Sequence, residues 1–246
     1  MPRIDVTIPT EDGSCTATLH TPQDTGSWPA VIMYPDAIGV RETFAAMGDR
    51  LAGLGYTVLV PDVYYRNEWA PFDPSTVFTD PDERQRLGVL AKSVTPALVA
   101  ADAGAFLDFL TGRPEVAGTA VGTTGYCMGG RMSLTAAARH PDRVAAAASF
   151  HGGNLAPADD PDGVHVLADR IRATVYVAAA ENDQSFPPEQ HERLEQAFVS
   201  AGVRHTIETY PAGHGFAVPD NETHDAAAEE RHWAALTDLY AANLRG

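Results

Sequence analysis

The chain has 246 residues, of which 44% are hydrophobic, and this length and composition suit one α/β domain with a sizeable core. Acidic residues number 33 and basic residues 17, so the formal net charge of −16 disfavours binding to nucleic acid or to an anionic membrane surface. We see no signal-peptide core and no apolar run long enough to span a bilayer. We therefore expect a cytoplasmic protein whose two cysteines are reduced.

The periodicity of apolar residues predicts the order of strands and helices. Alternation over 4–8 and 16–20 predicts an antiparallel hairpin that turns at Glu11-Asp12-Gly13. Buried strands are predicted at 30–34, 56–60, 119–126, 144–150, 174–180 and 204–210, and helices at 44–54, 82–92, 95–110, 128–139, 187–201 and 222–244. This alternation indicates an α/β domain over residues 1–246, with a mostly parallel central sheet and helices on both faces. The loops at the carboxyl ends of the strands are then the expected ligand-binding edge.

One of these loops has the form of a nucleophile turn. The segment Gly125-Tyr126-Cys127-Met128-Gly129-Gly130 joins a predicted strand to a predicted helix. In the α/β-hydrolase fold the nucleophile lies on such a strained turn, where neighbouring glycines allow the chain to bend. A helix N-terminus also favours the thiolate form of a cysteine. The pattern predicts Cys127 as the nucleophile and the N–H of Met128 as an oxyanion donor.

The acid and the base of a catalytic triad should follow the nucleophile in that order. Asp183 lies just beyond a predicted strand, and we prefer it to Glu181 because it extends further over the edge of the sheet. His214 lies between two glycines after the last strand, where an imidazole can take up a thiol proton and return it. His151 precedes two glycines as in an oxyanion motif, but it follows the nucleophile, so we interpret it as loop structure.

The remaining motifs predict no further chemistry. Cys15 lies in the N-terminal hairpin and is interpreted as a packing residue, because a free cysteine usually behaves as a small hydrophobe. No pair of histidines has the spacing of metal ligands, and there is no Cys-x-x-Cys motif. We therefore predict neither a metal nor a cofactor.

The sequence resembles the dienelactone hydrolase family over nearly its whole length. The residues that carry the resemblance are Gly125-Tyr126-Cys127-Met128-Gly129-Gly130, Asp183, Ala212-Gly213-His214-Gly215-Phe216, Tyr56 with Pro61-Asp62-Val63-Tyr64, and Asp82-Glu83-Arg84-Gln85-Arg86. The resemblance implies a Cys127-His214-Asp183 triad that opens an enol-lactone through a thioester. It also implies an oxyanion hole formed by the N–H groups of Met128 and Ala37.

The resemblance further implies two groups beside the thiol, and the chain departs from the family at each. The family keeps an acidic residue, usually glutamate, that restrains the thiol, and Asp36 stands at that position here. Of two arginines that grip a substrate carboxylate in the family, one corresponds to Arg86, which could equally be a solvated helix charge. The second would lie four residues after the histidine, where this chain has Val218. Arg41 is a candidate substitute.

Three functions stay open at this point. The first is a thiol hydrolase of small esters or enol-lactones, acting as a monomer or weak homo-oligomer. The second, favoured by Val218, is a broader carboxylesterase or thioesterase for neutral substrates. The third is a non-catalytic binding protein or thiol sensor on the same fold, which the filled triad positions disfavour.

Overall fold

An eight-stranded sheet organises the computed structural model, which describes residues 1–245. The strands are β1 (Arg3–Thr10), β2 (Gly13–His20), β3 (Trp28–Tyr34), β4 (Thr57–Pro61), β5 (Val116–Tyr126), β6 (Val144–Phe150), β7 (Thr174–Ala180) and β8 (His205–Tyr210). Their order across the sheet is β1-β2-β4-β3-β5-β6-β7-β8. The β1–β2 and β2–β4 pairs are antiparallel, and every other pair is parallel. The predicted hairpin and mostly parallel sheet are confirmed.

Helices cover both faces of this sheet. They are α1 (Glu42–Gly53), α2 (Pro81–Ser93), α3 (Pro96–Thr111), α4 (Met128–Arg139), α5 (Pro188–Ala201) and α6 (Ala226–Leu244), with a 3₁₀ turn at Ala168–Arg170. One apolar core lies between the sheet and α3, α4 and α5, and includes Leu107, Leu134 and Leu194. A second core lies on the opposite face against α1 and α6, and includes Leu51 and Leu236. This two-sided packing is the α/β-hydrolase arrangement that the sequence predicts.

Capping residues explain where several helices begin. Asp80 accepts hydrogen bonds from the N–H groups of Asp82 and Glu83 at the start of α2. The last helix begins at Ala226 rather than at 222, because the side chain of Asp225 accepts a hydrogen bond of 2.8 Å from the N–H of Ala228. The predicted boundary was therefore four residues too early.

Within residues 1–245, no single helix is both long and apolar enough to cross a bilayer. Taken together, α2 and α3 would satisfy the criteria of length and composition, but the chain bends by 69° between them.

Candidate active site

The strand-to-helix turn after β5 holds Cys127 in a strained conformation. Its φ of 54° and ψ of −117° lie in a region that costs a non-glycine residue about 1–3 kcal/mol. The surrounding glycines permit this bend. A Cβ on Gly125 would lie 1.8 Å from the carbonyl oxygen of Gly129, and one on Gly129 would lie 2.4 Å from that of Pro35. A Cβ on Gly130 would lie 2.4 Å from a side-chain oxygen of β6. No larger residue fits at these positions without moving the turn.

An imidazole–carboxylate pair stands at the same edge of the sheet. The Nδ1 atom of His214 lies 2.7 Å from Oδ2 of Asp183, whose side chain is 3% exposed. Oδ1 of Asp183 accepts hydrogen bonds of 2.8 Å and 2.7 Å from the N–H and hydroxyl of Ser185. Burial alone would raise the pKa of Asp183, but the hydrogen bonds from His214 and Ser185 hold it below its usual range. The carboxylate is thus ionised and fixed in direction.

The pKa of His214 reflects both of its neighbours. Burial lowers it, but hydrogen bonds to Asp183 and to the side chain of Cys127 outweigh burial and raise the pKa to about 10. His214 therefore holds a proton at neutral pH, next to the sulfur of Cys127. The sequence-predicted nucleophile, acid and base come together in one chain of contacts.

The two cysteines differ in their surroundings. Cys127 is partly exposed and lines a cavity of about 520 Å³ together with Ser185 and His214. Cys15 is 0% exposed, and its thiol donates to the carbonyl oxygen of Asp62 at 3.4 Å. Burial raises the pKa of the Cys15 thiol well above its usual value, which keeps it protonated and inert.

The walls of the Cys127 cavity come from α2, α3 and α4 and from the loops after β6, β7 and β8. The apolar part of the wall consists of Ala91, Val94, Pro96, Val99, Met128 and Met132. Two cationic side chains, Lys92 and Arg131, line the same cavity. Arg131 also donates to a carboxylate oxygen of Asp160 at 2.5 Å. No sequence motif singles out these two residues, because only the packing of the helices brings them to the cavity.

Two backbone N–H groups were predicted as oxyanion donors. Met128 is the first residue of α4, so its N–H has no acceptor inside the helix. Ala37 lies in the loop after β3, the strand that pairs with β5 and places Tyr34 opposite Gly125. The hydroxyl of Tyr64 connects the two positions: it donates to the carbonyl of Ala37 at 2.8 Å and lies 3.8 Å from the sulfur of Met128. The two loops are thus held side by side.

Asp36 takes part in a different interaction from the predicted one. Its carboxylate oxygens accept hydrogen bonds of 2.8 Å and 2.9 Å from Arg41, and Oδ1 also accepts one from the N–H of Ile38. The other edge of Arg41 donates to both oxygens of Asp220, at 2.7 Å and 2.8 Å, and Thr43 donates to Asp220 at 2.6 Å. Both hydrogen-bonding edges of the guanidinium are occupied, so Arg41 has no free edge to offer a substrate.

Arg86, the other implied group, lies away from the Cys127 cavity. It lines a separate cavity with Trp69, donates to the carbonyl of Ala70 at 2.6 Å, and stacks over the ring of Phe72. Val218 is 0% exposed and packs in the core beneath α6. Neither position therefore offers a cation to the cavity that holds Cys127.

His151 has more contacts with the site than the sequence suggested. It is 1% exposed, and its Nδ1 lies 3.2 Å from the backbone nitrogen of Cys127. Its ring stands edge-on to the ring of His214, with centroids 5.3 Å apart. Chain order alone made this residue look like plain loop structure, although it directly follows β6 at the same edge of the sheet.

The sheet order, the strained turn and the imidazole–carboxylate pair define a protein of the α/β-hydrolase class. The profile of the dienelactone hydrolase family matches residues 15–244. The chain belongs to this family, and it is a hydrolase of the dienelactone hydrolase type.

Individual relatives agree with that assignment. A carboxymethylenebutenolidase of Rhodococcus opacus is 29% identical over 234 residues, which cover 90% of this chain and 84% of that protein. A dienelactone hydrolase-like promiscuous phosphotriesterase from metagenomic libraries is 26% identical and has a TM-score of 0.77. The match covers 99% of this chain and 99% of that one. A crystal structure of a protein from Klebsiella pneumoniae shares the fold, with a TM-score of 0.83 at 24% identity and 98% coverage of both chains.

Proposed function

We propose that this protein hydrolyses a small carboxylic ester or enol-lactone with Cys127 as nucleophile, His214 as acid–base catalyst and Asp183 as the group that orients His214. The observation that carries the proposal is that Cys127 and His214 line one cavity while Nδ1 of His214 binds Asp183 at 2.7 Å. The strained turn supports it, because backbone strain of this kind persists where function requires it.

In the first half of the reaction, the proton that Cys127 shares with His214 lies on Nε2 of His214, and the sulfur attacks the ester carbonyl carbon. The carbonyl π-electrons move to oxygen, where the N–H groups of Met128 and Ala37 stabilise the negative charge. When the tetrahedral adduct collapses, the C–O bond breaks, and His214 gives its proton to the leaving alkoxide or enolate. An acyl thioester on Cys127 remains.

In the second half, water replaces the leaving group. His214 takes a proton from water, the resulting hydroxide attacks the thioester carbonyl, and the C–S bond breaks. The sulfur leaves as thiolate, and the proton taken from water stays on Nε2 of His214, which restores the starting state. Asp183 stays ionised throughout, since its hydrogen bonds from His214 and Ser185 hold its pKa low.

The cavity favours a small substrate with an anionic group. A cavity of about 520 Å³ holds a compact molecule, and Lys92 and Arg131 are the cationic side chains in its wall. The name of the Rhodococcus opacus relative denotes action on a carboxymethylene butenolide, a lactone that carries a carboxylate. Lys92 and Arg131 would thus replace the pair of arginines that the family resemblance implies.

A neutral ester is the second candidate substrate. The apolar wall formed by Val94, Val99 and Met132 favours it, since these side chains bind an alkyl or aryl group without needing an anion. The mechanism at Cys127 would be unchanged. The two substrate classes therefore differ in the residues that set the KM.

A matched pair of aryl esters, one neutral and one bearing a carboxylate, tests both points. Wild type, Lys92→Met and Arg86→Met would be compared by kcat/KM, and acid-quenched enzyme would be digested and searched for an acyl adduct. We expect the adduct on the Cys127 peptide, and a selective loss of the carboxylate ester in Lys92→Met but not in Arg86→Met. Equal losses on both esters would assign the substrate to the neutral class. An adduct on another residue would overturn the proposed nucleophile.

A further inference from the structure

The imidazole of His151 touches both the nucleophile and the base. Its Nδ1 lies 3.2 Å from the backbone nitrogen of Cys127, and its ring stands edge-on to His214 at 5.3 Å and to Phe216 at 4.9 Å. It is 1% exposed, so it does not contact a bound substrate through solvent-facing atoms. Its contacts are with the proposed nucleophile and base.

These contacts fix the protonation state of His151. The nitrogen of Cys127 carries a hydrogen and can only donate, so Nδ1 of His151 must be the unprotonated acceptor. The ring is then the neutral tautomer with its proton on Nε2, which is buried and has no hydrogen-bond partner among the described residues. Burial, together with the neighbouring His214 and His232, lowers the pKa of His151 well below its usual value, which agrees with a neutral ring.

The loop that carries His151 contacts both the N–H and the carbonyl group of Cys127. The N–H of Cys127 faces Nδ1 of His151 and the carbonyl of Phe150, while its carbonyl accepts from the N–H of Gly153 at 3.4 Å. His151 itself has a left-handed φ of 39° and donates its N–H to the carbonyl of Ala178 at 2.8 Å. The loop is therefore anchored to β7 and contacts Cys127, a residue whose backbone is itself strained.

We propose that His151 is a positioning residue for the hydrolysis described above. Its neutral Nδ1 fixes the main chain of Cys127, and hence the aim of the sulfur and of the Met128 N–H. Its ring supports the imidazole of His214. This inference rests on the proposed function of Cys127 and His214, and it gives His151 no part in proton transfer.

Two substitutions separate the acceptor from the ring. His151→Phe keeps an aromatic ring against His214 and removes the acceptor. His151→Asn restores a side-chain oxygen near the position of Nδ1 and tolerates a left-handed φ. His205→Phe is the matched control, because His205 also packs against an aromatic ring but lies at the amino end of β8, away from the site.

The readouts are ester kcat and KM, and the rate at which iodoacetamide alkylates Cys127 at pH 7, followed on the Cys127 peptide by mass spectrometry. For His151→Phe we expect about a fivefold fall in the alkylation rate and in kcat, with KM little changed, as for loss of one neutral hydrogen bond. For His151→Asn, the alkylation rate and kcat should stay within about twofold of wild type, and for His205→Phe both should equal those of wild type. Wild-type behaviour of His151→Phe, or equal losses in both His151 variants, would overturn the inference.

A measurement on the unmodified protein covers the case in which His151→Phe does not fold. Nitrogen-15 NMR of the histidine rings should show His151 neutral, with its proton on Nε2, at pH 7. A proton on Nδ1, or a charged ring, would overturn the inference. The alkylation rate needs no substrate. If esters were not hydrolysed but His151→Phe still slowed alkylation, the proposed function would fail while the positioning role of His151 stood.

Discussion

Two charged clusters lie at the loop edge of the sheet, and they differ in how completely their cation is paired. In the first, His214 binds Asp183 through Nδ1 and keeps its other nitrogen for Cys127. In the second, Arg41 bonds to Asp36 and Asp220 through both of its edges. The first cluster therefore has a group left to act on a substrate, and the second does not. What distinguishes the proposed catalytic pair from the structural one is its unused donor or acceptor.

The closed cluster still matters to the site. Asp36 immediately precedes Ala37, and Asp220 lies six residues beyond His214. Arg41 therefore joins the loop of the proposed oxyanion donor to the loop of the proposed base. Burial raises the pKa of Asp36 despite this pairing, whereas hydrogen bonds from Arg41 and Thr43 outweigh burial and hold the pKa of Asp220 below its usual value.

Replacing His214 should have the largest effect on kcat/KM. His214→Ala takes away the only group that moves protons in the proposed mechanism, and we expect kcat/KM to fall by about 10⁴-fold. His224→Gln is a matched control in the same loop region, since His224 pairs with Glu229 instead. Steady-state hydrolysis of an aryl ester measures both. Activity of His214→Ala near that of His224→Gln would remove His214 from the mechanism.

Weakening the partner of His214 should cost less. Asp183→Asn removes the carboxylate but keeps the shape, and we expect a loss of about 10²-fold in kcat/KM. Because hydrogen bonding to ionised Asp183 is one of the interactions that raise the pKa of His214 to about 10, the neutral amide should lower that pKa. NMR titration of the His214 ring checks the direction. An unchanged or higher pKa in the variant would contradict the proposed role of Asp183.

Replacing Arg41 should mainly lower the free energy of unfolding. Arg41→Met leaves Asp36, which is 4% exposed, without its cation, and a broken buried pair costs about 3 kcal/mol in the free energy of unfolding. The double variant Asp36→Asn with Arg41→Met should recover part of that loss. Urea unfolding measures both variants. A loss below about 0.5 kcal/mol in Arg41→Met would show that the cluster is not a stabilising connection.

The smallest effect is expected at Arg86. Its side chain is partly exposed and pairs with Glu83 and the carbonyl of Ala70, so Arg86→Ala should cost at most about 1 kcal/mol of stability. Since Arg86 does not line the Cys127 cavity, kcat/KM should change by less than about twofold for neutral and carboxylate esters alike. A selective loss of the carboxylate ester would return Arg86 to the substrate site.

The sequence was sufficient for features whose geometry is local. A nucleophile turn needs residues without side chains at fixed offsets, so the spacing of Gly125, Gly129 and Gly130 is enough to indicate Cys127. The order of strands places Asp183 and His214 at the same edge, since parallel strands end together. These predictions depend on steric rules within a few residues and on the alternation of strand and helix.

Side chains whose role depends on a distant partner could not be predicted in the same way. Asp36 was expected beside the thiol, yet Arg41 takes both of its oxygens. Lys92 and Arg131 reach the cavity only because α2 and α4 pack on either side of it. His151 contacts the backbone of Cys127 because β6 pairs with β5, and chain order does not reveal that proximity.

In the proposed mechanism Cys127, and not merely the fold around it, performs the hydrolysis. The most direct measurement is aryl ester hydrolysis by Cys127→Ala, with Cys15→Ala as the control for losing a thiol elsewhere. The proposed mechanism requires Cys127→Ala to lose at least about 10⁴-fold in kcat/KM. The Cys15 thiol is buried and inert, so Cys15→Ala should stay within about threefold of wild type. Full activity in Cys127→Ala would contradict the mechanism.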